Sequence, residues 1–477
     1  MKKQSTTLDL THGPVLPLML RFCLPILLGN LMQQFYNMVD AAVVGHYVGT
    51  NALAAVGATG SLTFLVIGFV DGMCAGFCIP VAQAFGAGNN SLLKKCVWNI
   101  IYLSAAASVL LALFTSVFLG QMLDAMAFPE DIYADSFIYL RVIFLGIPAT
   151  VAYNTQAGLM RAMGNSRAPL IILIGASLVN VVLDLLFVRV FGIGVLGAAL
   201  ATIISQIVSA IVCFTYILKN YPMLRAKNCT AIEKKPDGLI SKRLVFSGLP
   251  MALQYSITAI GSVLLQTAIN GFGSLIVASV TAANKVQSFV HLPFSTLGVT
   301  LSTWCGQNMG ARDYDRVRRG FWDGMAVALV YSVLMGVVMY FLGEYVSLIF
   351  IDKDETRLVE LLSYVREFLR KNCILYIPLG ILTVCRFSLQ GLEHGFTAMF
   401  AGVFEMVARS VMALWAVKFF GFDAVCYANP AAWIAACILL VPACLVVMPK
   451  VRRRLKAEKA QAPTTQTAPN TGGNNGQ

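Results

Sequence analysis

Residues 180–192, NVVLDLLFVRVFG, set a single carboxylate, Asp184, in the middle of an apolar run. An ionised side chain at the centre of a bilayer costs about 2.5–3.5 kcal/mol on insertion scales and more in simulations, so it faces a bundle interior or a watery cavity and needs a partner. Asn180 stands at i−4, on the same helical face. Thr202 and Gln206 fall on the next apolar run and Asp40 on the first. Asp184 lies about 15 residues, or ~22 Å, from one membrane face and Asp40 about 24 residues from it, so both belong to the opposite half of the bilayer. Two carboxylates and neutral oxygens at one depth would bind Na+, a hard cation that takes oxygen ligands. They would equally share a proton, because like charge and desolvation both raise a carboxyl pKa. The structural alternative is a plug in which Asp184 pairs with Arg189. That spacing puts Arg189 off the Asp184 face and favours snorkelling outward.

Glu405 and Arg409, at i and i+4 inside another apolar run, are spaced for a salt bridge that lowers the insertion cost. Locking a helix and contacting substrate or a gate are equal alternatives for that pair. Asp71, near the end of the second run, is a candidate gate residue; Arg141 and Lys285 either pair with acids or snorkel. His12, His46, His291 and His394 show no metal-ligand spacing. Nearly all of the twelve cysteines sit in apolar runs, as small hydrophobes, and Cys74 and Cys78 lack further ligands nearby. No cofactor and no metal beyond Na+ is expected. H-E-x-x-H and G-x-S-x-G motifs and an acidic Mg2+ cluster for prenyl transfer are missing, so the chain is not expected to be an enzyme. A P-loop is missing too, so ATP is not expected to drive it.

The elements that must position these groups are apolar throughout. Of 477 residues 58% are hydrophobic and 12% charged, with a mean hydropathy of +0.74, against about 25% charged in soluble domains. Crossing a hydrocarbon core about 30 Å thick takes about 20 apolar helical residues. Twelve runs qualify, near 16–44, 52–80, 96–119, 136–160, 169–190, 194–218, 244–269, 275–303, 321–342, 372–390, 396–417 and 425–448. The fold class is therefore an all-α integral membrane protein with twelve transmembrane helices. The net charge of +12 follows membrane orientation rather than nucleic acid. With the first residue cytoplasmic, inside segments hold 24 of the 35 basic residues, Arg386 included, and outside segments 7. Both termini are expected in the cytoplasm and the chain in the cell membrane. Lys2 and Lys3 precede the first run without a small-residue cleavage site, so no cleaved signal peptide is expected. Residues 460–477, AQAPTTQTAPNTGGNNGQ, read as a disordered tail.

An internal repeat divides the chain. Gln83, Gly86, Ala87 and Trp98 of QAFGAGNNSLLKKCVW fall without a gap on Gln307, Gly310, Ala311 and Trp322 of QNMGARDYDRVRRGFW, and Lys94 and Lys95 on Arg318 and Arg319. A shift of six helices preserves orientation, so the halves form two six-helix lobes related by a pseudo-twofold along the membrane normal, the parallel-repeat arrangement of transporters. The division is 1–15, a cytoplasmic segment; 16–218, the N-terminal lobe; 219–243, a basic cytoplasmic linker; 244–448, the C-terminal lobe; and 449–477, a basic then disordered tail. The glycines of the two loops suit cytoplasmic hinges, centred on Gln83, Gly86, Gln307 and Gly310; static turns are the alternative.

The stretches FYNMVDAAVVGHYVGTNALAAVG, VAQAFGAG, RAMGNSRAP, LVNVVLDLLFV, GVLGAALAT and GQNMGARDYDRVRRG resemble, in order, those of the multidrug and toxic compound extrusion (MATE) transporters, and of their DinF-like bacterial branch in particular. The resemblance covers roughly 12–450. It implies a MATE-like fold and a coupling-cation site at Asp40, Asn180, Asp184 and Thr202, with Asn154 as the member from the fourth helix. Gln254 stands where another branch carries an acid, which puts a second cation site in doubt. The implied function is an H+- or Na+-coupled antiporter exporting amphipathic, often cationic, organic compounds by alternating access. The chain would act as a monomer in the lipid bilayer, with no nucleic acid or ATP as partner. The alternative is a flippase for lipid-linked precursors or polysaccharide, which would want a strongly cationic cavity.

Overall fold

The computed structural model describes residues 7–126, 128–351 and 357–460. Lys2, Lys3 and the expected tail beyond Ala460 lie outside them. All regular structure among the described residues is helical.

The N-terminal lobe holds α1 (Val15–Tyr47), α2 (Gly60–Gly86, after a short helix Thr50–Ala58), α3 (Asn90–Ala125), α4 (Glu130–Leu145, then Ile147–Ala162), α5 (Arg167–Asp184, running on as a π-turn Leu185–Val190) and α6 (Gly194–Asn220). The C-terminal lobe repeats this with α7 (Gly238–Asn270), α8 (Ser274–Gly310), α9 (Tyr314–Ser347), α10 (Leu358–Cys373, then Tyr376–Gly391), α11 (Gly395–Val411, a π-turn Met412–Ala416 and Val417–Phe420) and α12 (Phe422–Ala460). Between the lobes run two 3-10 turns and a helix, Ala231–Lys234, closed by a capping box from Thr230 and Glu233.

Three passes depart from the apolar runs. First, α4 and α10 are bent, by 49° and 50°. Pro148 and Pro378 each set a ring against the carbonyl four residues back, at Phe144 and Ile374, and so break the helix there. The first half of α10 lies between the runs 321–342 and 372–390, in a stretch that carries five of the seven bases assigned to outside segments. Its apolar residues Leu361, Val365, Phe368 and Leu369 are buried on one face, and its charges pair sideways: Arg366 with Glu344 at 2.6 Å, and Lys371 with Glu367 and Asp423. Second, α8 is not one of the nine helices and two bent pairs that, among the described residues, are apolar and long enough to cross a membrane. It runs inside the bundle, where Gln287, Thr296, Thr300, Gln307 and Asn308 are buried, so it meets protein rather than lipid.

Each lobe's first helix leans on the other lobe. Met19, Phe22 and Ile26 of α1 join the C-lobe core, while Leu244 and Ala252 of α7 join the N-lobe core. Where α2 passes α7, a Cβ on Gly72 would come within 2.6 Å of the Met251 carbonyl oxygen and one on Gly76 within 2.5 Å of that of Ser247. Small residues four apart let the backbones touch, as membrane helix pairs require.

Candidate functional site

The carboxylates of α1 and α5 converge. Asp184 is the last residue of the α-helical part of α5, just before the π-turn, a local widening that commonly accompanies functional sites. It is fully buried, Asn180 is 1% exposed and Asp40 9%. The Asp40 and Asp184 carboxyl groups are close enough to act on each other electrostatically, although no hydrogen bond joins them. Tyr36, one turn before Asp40, lines a cavity with Thr202 of α6, and Tyr139 of α4 lies within electrostatic range of both acids. Oδ1 of Asp40, both carboxylate oxygens of Asp184 and both polar atoms of the Asn180 amide are buried without a hydrogen-bond partner among the described residues. Thr202 Oγ1 donates to the Ala198 carbonyl at 3.1 Å. Arg189 does not reach Asp184; it stacks over the Tyr47 ring, 5.5 Å from the centroid. No set of three or more His, Cys, Asp or Glu side chains suited to a metal occurs among the described residues. Two carboxylates with neutral oxygens and no basic side chain bonded to them form a site for a proton or a hard cation.

Asn154, one of the five residues implied by the family pattern, is engaged elsewhere. Its Nδ2 donates to Asp71 Oδ1 at 2.6 Å. Both line an N-lobe cavity of about 260 Å³, together with Tyr36, Arg161, Asn180 and Thr202. That Asp71 is the partner of Asn154 depends on how α2 packs against α4, which spacing along the chain does not show.

The C-lobe pair is a triad. Glu405 lies 3.5 Å from Arg409 and is also bonded by Arg386 of α10. Arg386 had been counted among loop bases; it sits mid-helix and 7% exposed, so it does not belong in the orientation count. Arg409 Nε donates to Asn429 Oδ1 at 3.1 Å. Gln254 Oε1 accepts from Gln390 Nε2 at 2.7 Å. The triad lines a cavity of about 560 Å³ between the lobes.

The repeated loops meet across the lobes. A Cβ on Gly86 would fall 1.9 Å from the Gln307 carbonyl oxygen, and one on Gly310 1.9 Å from that of Gln83. Gln307 Nε2 donates to the Ala162 carbonyl at the end of α4 (2.8 Å), and Gln83 Nε2 to the Gly391 carbonyl at the end of α10 (3.4 Å). Each glutamine thus caps a helix of the opposite lobe. The other end of each amide is held too, Gln307 Oε1 by the Leu10 N–H at 3.3 Å and Gln83 Oε1 by Arg243. Left-handed backbone falls two residues later, at Gly88 and Arg312. Close approach, not a turn, explains glycine at 86 and 310.

A family model described as MatE matches residues 25–186 and 250–415. The probable multidrug resistance protein YoeA of Bacillus subtilis is 28% identical over 339 residues, covering 70% of this chain and 73% of that protein. The DNA damage-inducible protein F of Escherichia coli is 25% identical over 387 residues, covering 78% and 79%. A solved structure described as the outward-facing conformation of a multidrug resistance MATE family transporter shares the fold. Its TM-score is 0.83 at 20% identity, over 96% of this chain and 99% of that one.

Proposed function

The chain belongs to the MATE family of multidrug transporters, and on that premise we propose that it is an antiporter in which Asp40 and Asp184 carry the coupling H+ or Na+ while amphipathic organic compounds leave through the cavity between the lobes. The observation behind this is the cluster of buried oxygens that no donor satisfies. Two unscreened carboxylates at such depth are expensive, and one cation or proton between them removes most of that cost.

Cation binding has to favour one arrangement of the lobes, since a ligand shifts a conformational equilibrium only through different affinity for its states. Asp184 and Asn180 ride on α5, Asp40 and Tyr36 on α1, so a cation held by both helices fixes their relative position. The start of α1 packs on the C-lobe core, and through it the N-lobe site bears on the other lobe. With both termini in the cytoplasm, as the basic residues suggest, the glutamine-capped seam lies on the cytoplasmic side and the structure is closed inward. One chain holds both lobes, the cation site and the path, which supports action as a monomer without ATP.

The flippase alternative keeps some ground. Arg161, Arg386 and Arg409 line the cavities, although Asp71 and Glu405, which line them too, offset two of the three charges.

The test uses purified protein in liposomes loaded with a fluorescent organic dye, with H+ and Na+ gradients imposed separately. Uphill dye movement under at least one gradient is expected. Movement under neither would contradict antiport.

A further inference from the structure

We propose that the C-lobe wall of the central cavity, through Arg409 and Arg386, binds an oxyanion, a carboxylate or phosphate, carried by the organic substrate. The proposal rests on the chain being an exporter but departs from the mainly cationic compounds expected from its sequence.

The pseudo-twofold supplies the first argument. The left-handed glycines Gly192 and Gly421 close α5 and α11. Counted back from them, the counterpart of Asn180 is Arg409 and that of Asp184 is Ala413. Gly49 and Gly273, which have positive φ, follow α1 and α7 in the same way, and counting from them puts Leu264 opposite Asp40. The C-lobe equivalent of the cation site has therefore lost both carboxylates and gained a guanidinium. The neighbouring helix makes room for it: a Cβ on Gly261 would lie 3.5 Å from Arg409 Cδ.

The second argument is charge. The ionisable groups lining this cavity are Arg386, Arg409, Glu405 and His291. With His291 neutral, two guanidinium groups face one carboxylate, an excess of one positive charge on side chains 7%, 6% and 2% exposed for Arg386, Arg409 and Glu405. A buried guanidinium that lacks its own counter-charge is strongly unfavourable.

The third is unspent hydrogen bonding. Arg386 Nε and Arg409 Nη1 are buried with no acceptor among the described residues. Guanidinium presents a planar fork that matches carboxylate and phosphate. Beside it, Phe294, Phe387 and Trp433 give the cavity an aromatic wall for the apolar part of a drug-sized ligand, for which about 560 Å³ lies in the usual range. An amphipathic organic anion answers all three features; its charge would complete the triad as its rings fill the wall.

Two dyes that differ only at the carboxyl test this: rhodamine 110, the free acid, and rhodamine 123, its methyl ester. Their binding to the purified full-length protein is read by fluorescence anisotropy. No gradient is imposed, so failed coupling and failed anion recognition register separately. The acid is expected to bind at least about tenfold tighter than the ester, the scale of one charge-assisted hydrogen bond. Arg409→Gln should remove that preference. Glu405→Gln frees both guanidinium groups and should tighten the acid several-fold while weakening the ester, which is a net cation. If either variant fails to fold, as judged by thermal unfolding, the wild-type ratio decides alone. Equal affinity for the two dyes, tighter binding of the ester, or binding of neither would overturn the proposal, as would weaker binding of the acid by folded Glu405→Gln.

Discussion

Asp184 could be singled out from composition alone because an acid in an apolar run demands an explanation, and Asn180 followed from helical spacing. The tyrosines beside it could not be found that way: Tyr36 and Tyr139 are ordinary residues of apolar helices, and only packing turns them toward the acids. Arg386 was misplaced because it lies near the end of its apolar run, where a base normally snorkels. A test at this scale is Tyr36→Phe, which removes a hydroxyl near the two acids. A hydroxyl that helps hold the ion, at about 1 kcal/mol, should on removal lower the apparent affinity for the coupling ion by roughly fivefold, read as the ion concentration giving half-maximal transport. Unchanged affinity would remove Tyr36 from the site. Asp40→Asn is expected to match Asp184→Asn in abolishing gradient-driven efflux while leaving the fold intact; loss of expression instead would assign Asp40 a structural role.

At the level of elements, the length of the apolar runs located the passes but neither the first half of α10 nor the breaks, since a proline in an apolar run marks a kink only once its neighbours are known. The loops at 83–95 and 307–319 were legible as a repeat, yet their contact with each other was not, because it joins residues far apart in the chain. That contact makes a prediction. Gly310→Ala would drive a methyl group into the Gln83 carbonyl, and overpacking of this kind typically costs about 1–3 kcal/mol. Thermal unfolding should show the loss, and Gly86→Ala should behave alike; hinges would instead change rate and spare stability. Arg312 offers the opposite case. It holds the left-handed conformation that Gly88 takes in the first half, at about 1–2 kcal/mol for a side-chain-bearing residue. Its ion pair with Glu458, at 3.5 Å and part exposed, returns at most about 1 kcal/mol. Arg312→Gly should therefore raise stability, by about 1 kcal/mol or less, in thermal unfolding; a clear loss would show that the pair outweighs the strain.

The molecule as a whole is two similar lobes whose sites have diverged. The N-lobe keeps two acids with no base, and the C-lobe a triad with surplus positive charge, while the glutamine seam ties the lobes at one end. Removing both cross-lobe caps, in Gln83→Ala with Gln307→Ala, should loosen that end. A cysteine at the buried position 84 in a cysteine-free background would then react faster with a maleimide; an unchanged rate would deny the caps a part in holding the lobes. Coupling is seated at the N-lobe pair in this proposal. Asp184→Asn, reconstituted in liposomes beside wild type, tests it directly when uphill dye efflux under imposed H+ or Na+ gradients is compared with dye binding on the same preparation. The variant is expected to bind dye and unfold at the wild-type temperature but to move no dye uphill. Uphill efflux by Asp184→Asn at near the wild-type rate would contradict the proposal.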